Sequence, residues 1–117
     1  IILNSVNNKL KNTTINWSKK KCMTIVLCSK GYPLSYKKNI KINNIDKFKN
    51  TKNNFLFHAG TKIEKNNFLS NGGRVLNITS LGSSFSLIRK NIIKLIKKLD
   101  WKAGFYRKDI GWRIIKK

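Results

Sequence analysis

The chain has 117 residues, 40% of them apolar, enough for one compact domain and too few for two ordinary ones. No apolar run approaches the length of a membrane span, and no basic segment leads into a long apolar run and a small-residue cleavage site, so the expected compartment is cytoplasmic. Twenty-six basic residues against four acidic ones give a net charge of +22, which keeps nucleic-acid binding open as a class.

Residues 1–10 carry Ile2, Leu3, Val6 and Leu10 near helical spacing and predict the last turns of a helix. A helix end without a core of its own, on a chain that opens with Ile1, suggests a piece of something longer. Asn12–Trp17 is expected as a short strand. The run MTIVLC predicts a buried strand over Met23–Cys28, ended by the breakers Gly31 and Pro33. Cys22 and Cys28, roughly 20 Å apart if that strand is extended, are beyond disulfide reach and read as small core residues. With His58 they still lack a fourth zinc ligand and a zinc-like spacing.

Residues 37–54 read as a solvated connection with a short helix near Ile45–Lys49. Asn54–Ile63 and Phe68–Leu81 predict two strands joined by the turn EKNN. Ser83–Leu99 is the best helix, with Ser83 as its cap after Gly82. Its apolar stripe is Phe85, Ile88, Ile92, Ile96 and Leu99, and Lys90, Asn91, Lys94, Lys97 and Lys98 are expected to face outward. Asp100–Lys117 forms a compact tail. The order implies an α+β fold, with a mainly antiparallel sheet covered by one long helix.

Two glycine-bearing clusters, HAGTK and NGGRV, flank the expected hairpin turn. Gly72 and Gly73 would permit positive φ and close backbone approach. Arg74 offers a planar fork for two-point contact with phosphate or carboxylate, and Lys62 a point charge. If the two strands pair, Lys62 and Arg74 can lie near one sheet end as a phosphate clamp. Spacing alone favours a plain turn followed by a surface arginine. His58 lacks an orienting third group for nucleophilic catalysis and reads as a satisfied core or supporting residue. The four acids, Asp46, Glu64, Asp100 and Asp109, do not make a magnesium–nucleotide site. Asp109 reads as an ion-pair anchor for the tail, and no catalytic or metal-binding residue is assigned.

VLCSKGYPLSY, FHAGTK, NGGRVLNITSLG and FYRKDIGWR, in this order and spacing, resemble the C-terminal domain of the phosphoribosylamine–glycine ligase family, also called glycinamide ribonucleotide synthetase. The likeness covers about residues 1–113. It implies the C-terminal domain of an ATP-grasp ligase that forms glycinamide ribonucleotide from 5-phosphoribosylamine, glycine and ATP in purine synthesis. It also implies that residues 1–13 are the remnant helix and linker of the preceding domain, and that 14–117 close over the substrate. ATP and magnesium would be held by the upstream ATP-grasp domains, so the fragment alone is expected to be inactive. Lys62, Gly72, Gly73 and Arg74 match the positions implied for the 5-phosphoribosylamine phosphate. Arg107, Asp109 and Arg113 match the terminal motif. Leu34 departs from the family, which usually has glycine after GYP.

The alternative is a free-standing basic module that binds nucleic acid, whose mark would be aromatics exposed on a basic sheet face. Lys, Asn and Ile supply 54 of the 117 residues, and all three have codons rich in A and T. The lysines are scattered and not gathered in a tail. Genome bias is favoured over selected nucleic-acid binding as the source of the charge, and nucleic acid is expected to bind only non-specifically.

Overall fold

The computed structural model describes residues 1–115. The elements are α1 (Ile2–Val6), β1 (Lys21–Ser29), β2 (Ile40–Lys41), β3 (Asn54–His58), β4 (Thr61–Glu64), β5 (Asn67–Ser70), β6 (Arg74–Gly82), α2 (Phe85–Ile96), β7 (Gly104–Phe105) and α3 (Trp112–Ile115). The strands form two antiparallel sheets, ordered β3-β6-β1-β7 and β2-β5-β4. The mixed, antiparallel fold agrees with the α+β expectation, but among the described residues the single sheet becomes two and the one long helix becomes three helices. No described helix is long and apolar enough to cross a membrane.

β1 and β6 form the spine because both are rich in β-branched residues and alternate along one buried face. Met23, Ile25 and Leu27 of β1 meet Val75, Leu76 and Ile78 of β6 in the core, with Leu56 of β3 beside them. α2 lies across β6 and β1 and buries Ile88 and Ile92 against them. Burying one such side chain contributes about 1.5–3 kcal/mol. Ile42, Ile45 and Trp101 close the core from the connecting segments.

Several expectations need correction. α2 has 12 residues and ends at Ile96. Its cap is Ser84, not Ser83: Ser84 is extended and its Oγ accepts from the Leu87 N–H at 3.3 Å. Asn91 does not face solvent. Its Nδ2 donates to Asn54 Oδ1 at 2.6 Å and to Ser80 Oγ at 3.3 Å, tying the helix to two strands. Asn12–Trp17 is no strand, because no partner strand lies beside it; Leu10–Asn12 forms a short 3-10 turn instead. Residues 45–49 form turns, not a helix, although Ile45 is buried.

The cysteines also move. β1 alternates, so Met23, Ile25 and Leu27 face the core and Cys22 and Cys28 the other side. Cys22 is exposed and Cys28 half-buried. α1 buries no residue. The final two positions of the expected tail, Lys116 and Lys117, lie outside the described residues.

Candidate functional site

The hairpin from Asn54 to Gly82 leaves one sheet and enters the other, and the glycine clusters mark the crossing. β3 pairs with β6 over Asn54–His58, and β4 pairs with β5 over Thr61–Glu64. Between these pairs the two arms touch backbone to backbone. A Cβ on Gly60 would stand 2.5 Å from the Arg74 carbonyl oxygen and 2.9 Å from the Gly72 Cα. Asn71 N–H donates to the Gly60 carbonyl at 2.7 Å, and Ala59 N–H to the Val75 carbonyl at 3.0 Å. Gly73 carries the ring of Tyr32, so a Cβ there would fall 2.1 Å from Tyr32 Cδ2. Ser29 holds the same bend, donating from Oγ to the Gly72 carbonyl at 2.9 Å and from N–H to the Gly73 carbonyl at 2.8 Å. Close approach, not positive φ, is what requires glycine here: the glycines in the left-handed region are Gly31 and Gly111.

Arg74 is the first residue of β6 and lies across from Cys28, where the β1–β6 register shifts by a bulge. The bulge re-aims the side chain at the sheet's rim. Arg74 is exposed, and no hydrogen bond or ion pair among the described residues occupies its guanidinium. It lines two adjoining grooves, which also share Val26 and Tyr32. One, of about 440 Å³, is lined by Val26, Tyr32, Ala59, Gly73 and Asn77 besides Arg74. The other, of about 380 Å³, runs past Cys28, Tyr32 and Pro33 to Phe105, Tyr106 and Arg107. Burial pushes the Cys28 thiol pKa up, and the nearby Arg74 charge pulls it back.

The structure brings Gly73 and Arg74 to this rim and gives Lys62 a different setting. Lys62 lies on β4 in the other sheet, opposite Leu69. Its Nζ donates to Glu64 Oε2 at 2.6 Å. His58 is satisfied but exposed, not in the core: its Nδ1 pairs with Thr61 Oγ1 at 2.9 Å and its ring stacks on Phe68.

Asp109 receives two hydrogen bonds from Arg107, at 3.1 and 2.7 Å, as an ion-pair anchor would. These bonds hold the Asp109 carboxyl below its usual range. Arg89 of α2 fastens the same tail by donating to the Lys108 carbonyl. Asp100 accepts from Asn43 Nδ2 at 3.0 Å. Among the described residues no three His, Cys, Asp or Glu side chains gather as a metal site.

Sequence reasoning missed Tyr32 and Arg107 as groove residues. Their signal lies in GYP and FYRKDIGWR, but their meeting depends on the pairing of Cys28 with Phe105, across 77 positions.

Comparison with known proteins fits this architecture. Residues 22–113 match the family described as "Phosphoribosylglycinamide synthetase, C domain". The "Bifunctional purine biosynthetic protein purD" of Dictyostelium discoideum is 41% identical over 116 residues, covering 98% of this chain and 14% of that protein. A phosphoribosylamine–glycine ligase of Brucella melitensis is 34% identical over 113 residues, covering 97% of this chain and 26% of the relative. The chain thus spans about a quarter or less of the length of these relatives. The crystal structure of a phosphoribosylamine–glycine ligase from Thermotoga maritima superposes with a TM-score of 0.70 at 23% identity, over 92% of this chain and 27% of that one, a likeness of fold. With the hairpin, its glycine crossing and the tail motif all inside the matched stretch, the chain belongs to the family of phosphoribosylglycinamide synthetase C domains.

Proposed function

We propose that this chain is the C-terminal part of a phosphoribosylamine–glycine ligase and that Arg74 holds the phosphate of 5-phosphoribosylamine. The enzyme would join glycine to that amine with ATP, in purine synthesis and in the cytoplasm. The observation that carries the reading is the family match over residues 22–113, which contains an exposed guanidinium, without a partner among the described residues, lining two grooves. A phosphate at the rim meets Arg74 in two-point contact. Gly72 and Gly73 keep the bend free of side chains, so the backbone can come close. Lys62 assists by exchanging Glu64 for the substrate anion.

Residues 1–13 are then the end of the preceding domain and its linker, in keeping with an α1 that buries nothing. The described acids do not gather as a magnesium–ATP site: Glu64 and Asp109 are held by basic side chains, Asp100 by Asn43, and Asp46 stands apart from them. ATP and magnesium would be held by the upstream ATP-grasp domains. The 117-residue chain alone should form no ADP above background from glycine, phosphoribosylamine and ATP.

The test is steady-state kinetics of Arg74→Lys and Lys62→Ala in the complete ligase, varying each substrate in turn. Losing one charge-assisted contact costs about 1.5–3 kcal/mol, or roughly 10- to 150-fold. Arg74→Lys should raise the KM for phosphoribosylamine by that factor and leave the KM values for ATP and glycine nearly unchanged. Lys62→Ala should act in the same direction and less. A folded Arg74→Lys enzyme with unaltered phosphoribosylamine kinetics refutes the phosphate assignment.

A further inference from the structure

Gly72 and Gly73 stand directly before Arg74. Glycine has the widest backbone freedom of any residue, so two in a row form a natural swivel. An unheld swivel would spread the guanidinium over many positions at the rim. One residue grips both carbonyls of this pair. Ser29, the last residue of β1, donates from Oγ to the Gly72 carbonyl at 2.9 Å and from its N–H to the Gly73 carbonyl at 2.8 Å. Among the described residues no other donor reaches either carbonyl.

The hydroxyl is out of character with its neighbours. The buried positions of β1 are Met23, Ile25, Leu27 and Ser29, and only the last is polar. Ser29 is 2% exposed. Alanine would fill the same space without the cost of burying a hydroxyl. Ser29 also joins the bend to the groove walls. Its carbonyl accepts from the Tyr32 N–H at 3.1 Å, and it pairs with Gly104 of β7. Tyr32 lines both Arg74 grooves, and Phe105, Tyr106 and Arg107, just after Gly104, line one of them.

We propose that Ser29 is a positioning residue for Arg74: its hydroxyl and N–H fix the Gly72–Gly73 bend, so that the guanidinium meets the substrate phosphate in two-point register. The proposal rests on the phosphate reading of Arg74. Two-point contact is the reason the bend must be fixed. A point charge tolerates displacement, whereas a planar fork has to line up with the two oxygens it grips. A misplacement of about 1 Å can cost roughly a hundredfold.

Steady-state kinetics of Ser29→Ala in the complete ligase tests this. The KM for phosphoribosylamine should rise about tenfold, a partial misplacement, while the KM values for ATP and glycine stay nearly unchanged. Added to Arg74→Lys, Ser29→Ala should change that KM by less than about twofold, because a point charge needs no register. Ser80→Ala is the control. It removes another buried hydroxyl, bonded to Asn54 Oδ1 at 2.7 Å and six positions along β6 from Arg74. It should leave the phosphoribosylamine KM within about twofold of the native value. Ser29→Cys keeps a side chain there with a weaker donor. It should lie between Ser29→Ala and the native enzyme, and it carries the test alone if Ser29→Ala does not fold. An unchanged KM in Ser29→Ala, an effect that adds in full to Arg74→Lys, or an equal rise in Ser80→Ala overturns the proposal. So does a larger rise in Ser29→Cys than in Ser29→Ala, which gives the effect to packing. A raised KM in Arg74→Lys with native kinetics in Ser29→Ala loses the positioning role and keeps the phosphate reading. Native kinetics in Arg74→Lys loses both.

Discussion

The hairpin from Asn54 to Gly82 passes through two sheets, and its two halves are held by different forces. In the β3–β6 half, Leu56, Val75, Leu76 and Ile78 are buried under α2 and against β1. In the β4–β5 half only Ser70 is buried, and Ile63 is 66% exposed. Side-chain packing holds the first half. Backbone pairing holds most of the second, with help from the two residues of β2 and from Ile40 and Phe68, half-buried at the edge of the core. An isolated two-stranded hairpin is at best marginally stable in water. The half that carries Lys62 is therefore the softer one, and the half that carries Arg74 is anchored.

The largest test of this contrast is Ile78→Ala, which empties a site with no solvent exposure at the centre of the anchored half. It should cost about 2–5 kcal/mol in denaturant unfolding. A loss under 1 kcal/mol would mean that the core does not carry the fold as described. Gly60→Ala comes next, because its methyl would press on the backbone of the facing arm. Overpacking of this kind costs about 1–3 kcal/mol. A neutral result would show that the crossing can open at little cost. Ile63→Ala, in the soft half, should change stability by less than about 0.5 kcal/mol. A larger loss would mean that β4 is covered by something.

Protonating Asp109 should have the smallest effect. Its carboxyl pKa is lowered in the folded state, mainly by the Arg107 hydrogen bonds. The pair's contribution is therefore complete above the ordinary carboxylate pKa and disappears as pH falls through the lowered one. Both side chains are exposed, so the amide signals of Arg107–Gly111 should titrate at acid pH while the β6 signals stay fixed. Concerted movement of both sets would tie the tail to the core.

The sequence made some of this contrast legible. Ile88 and Ile92 announced the core side of α2 through their spacing, and the β-branched runs of β1 and β6 announced the spine. The second sheet was not legible, because β2 is two residues long and the hairpin arms read as continuous strands. The crossing shows why glycine stands at 60 and 72, and the Tyr32 ring shows why it stands at 73. Asn91 reads as a surface residue because its partner Asn54 lies 37 positions away on β3, and Ser80, on the preceding strand, faces it only once the helix folds back over the sheet. The outward placement of Cys22 and Cys28 was hidden for another reason. MTIVLC is apolar on both faces, so its alternation does not say which face is covered. Arg74 was picked out by its glycines and by the resemblance, but its grooves needed Tyr32 and the tail.

Trp101 is the closing wall of the core, and its burial gives the chain an internal optical probe. It is 8% exposed, whereas Trp112 is 48% and Trp17 85% exposed. An aqueous quencher should therefore silence Trp17 and Trp112 and leave the emission of Trp101, shifted to the blue. Quenched fluorescence then follows the packing around Gly104 and β7 alone, where the tail joins the sheet. Unquenched fluorescence adds the two ends of the molecule. The difference between the two signals separates fraying of the termini from melting of the centre, without a label.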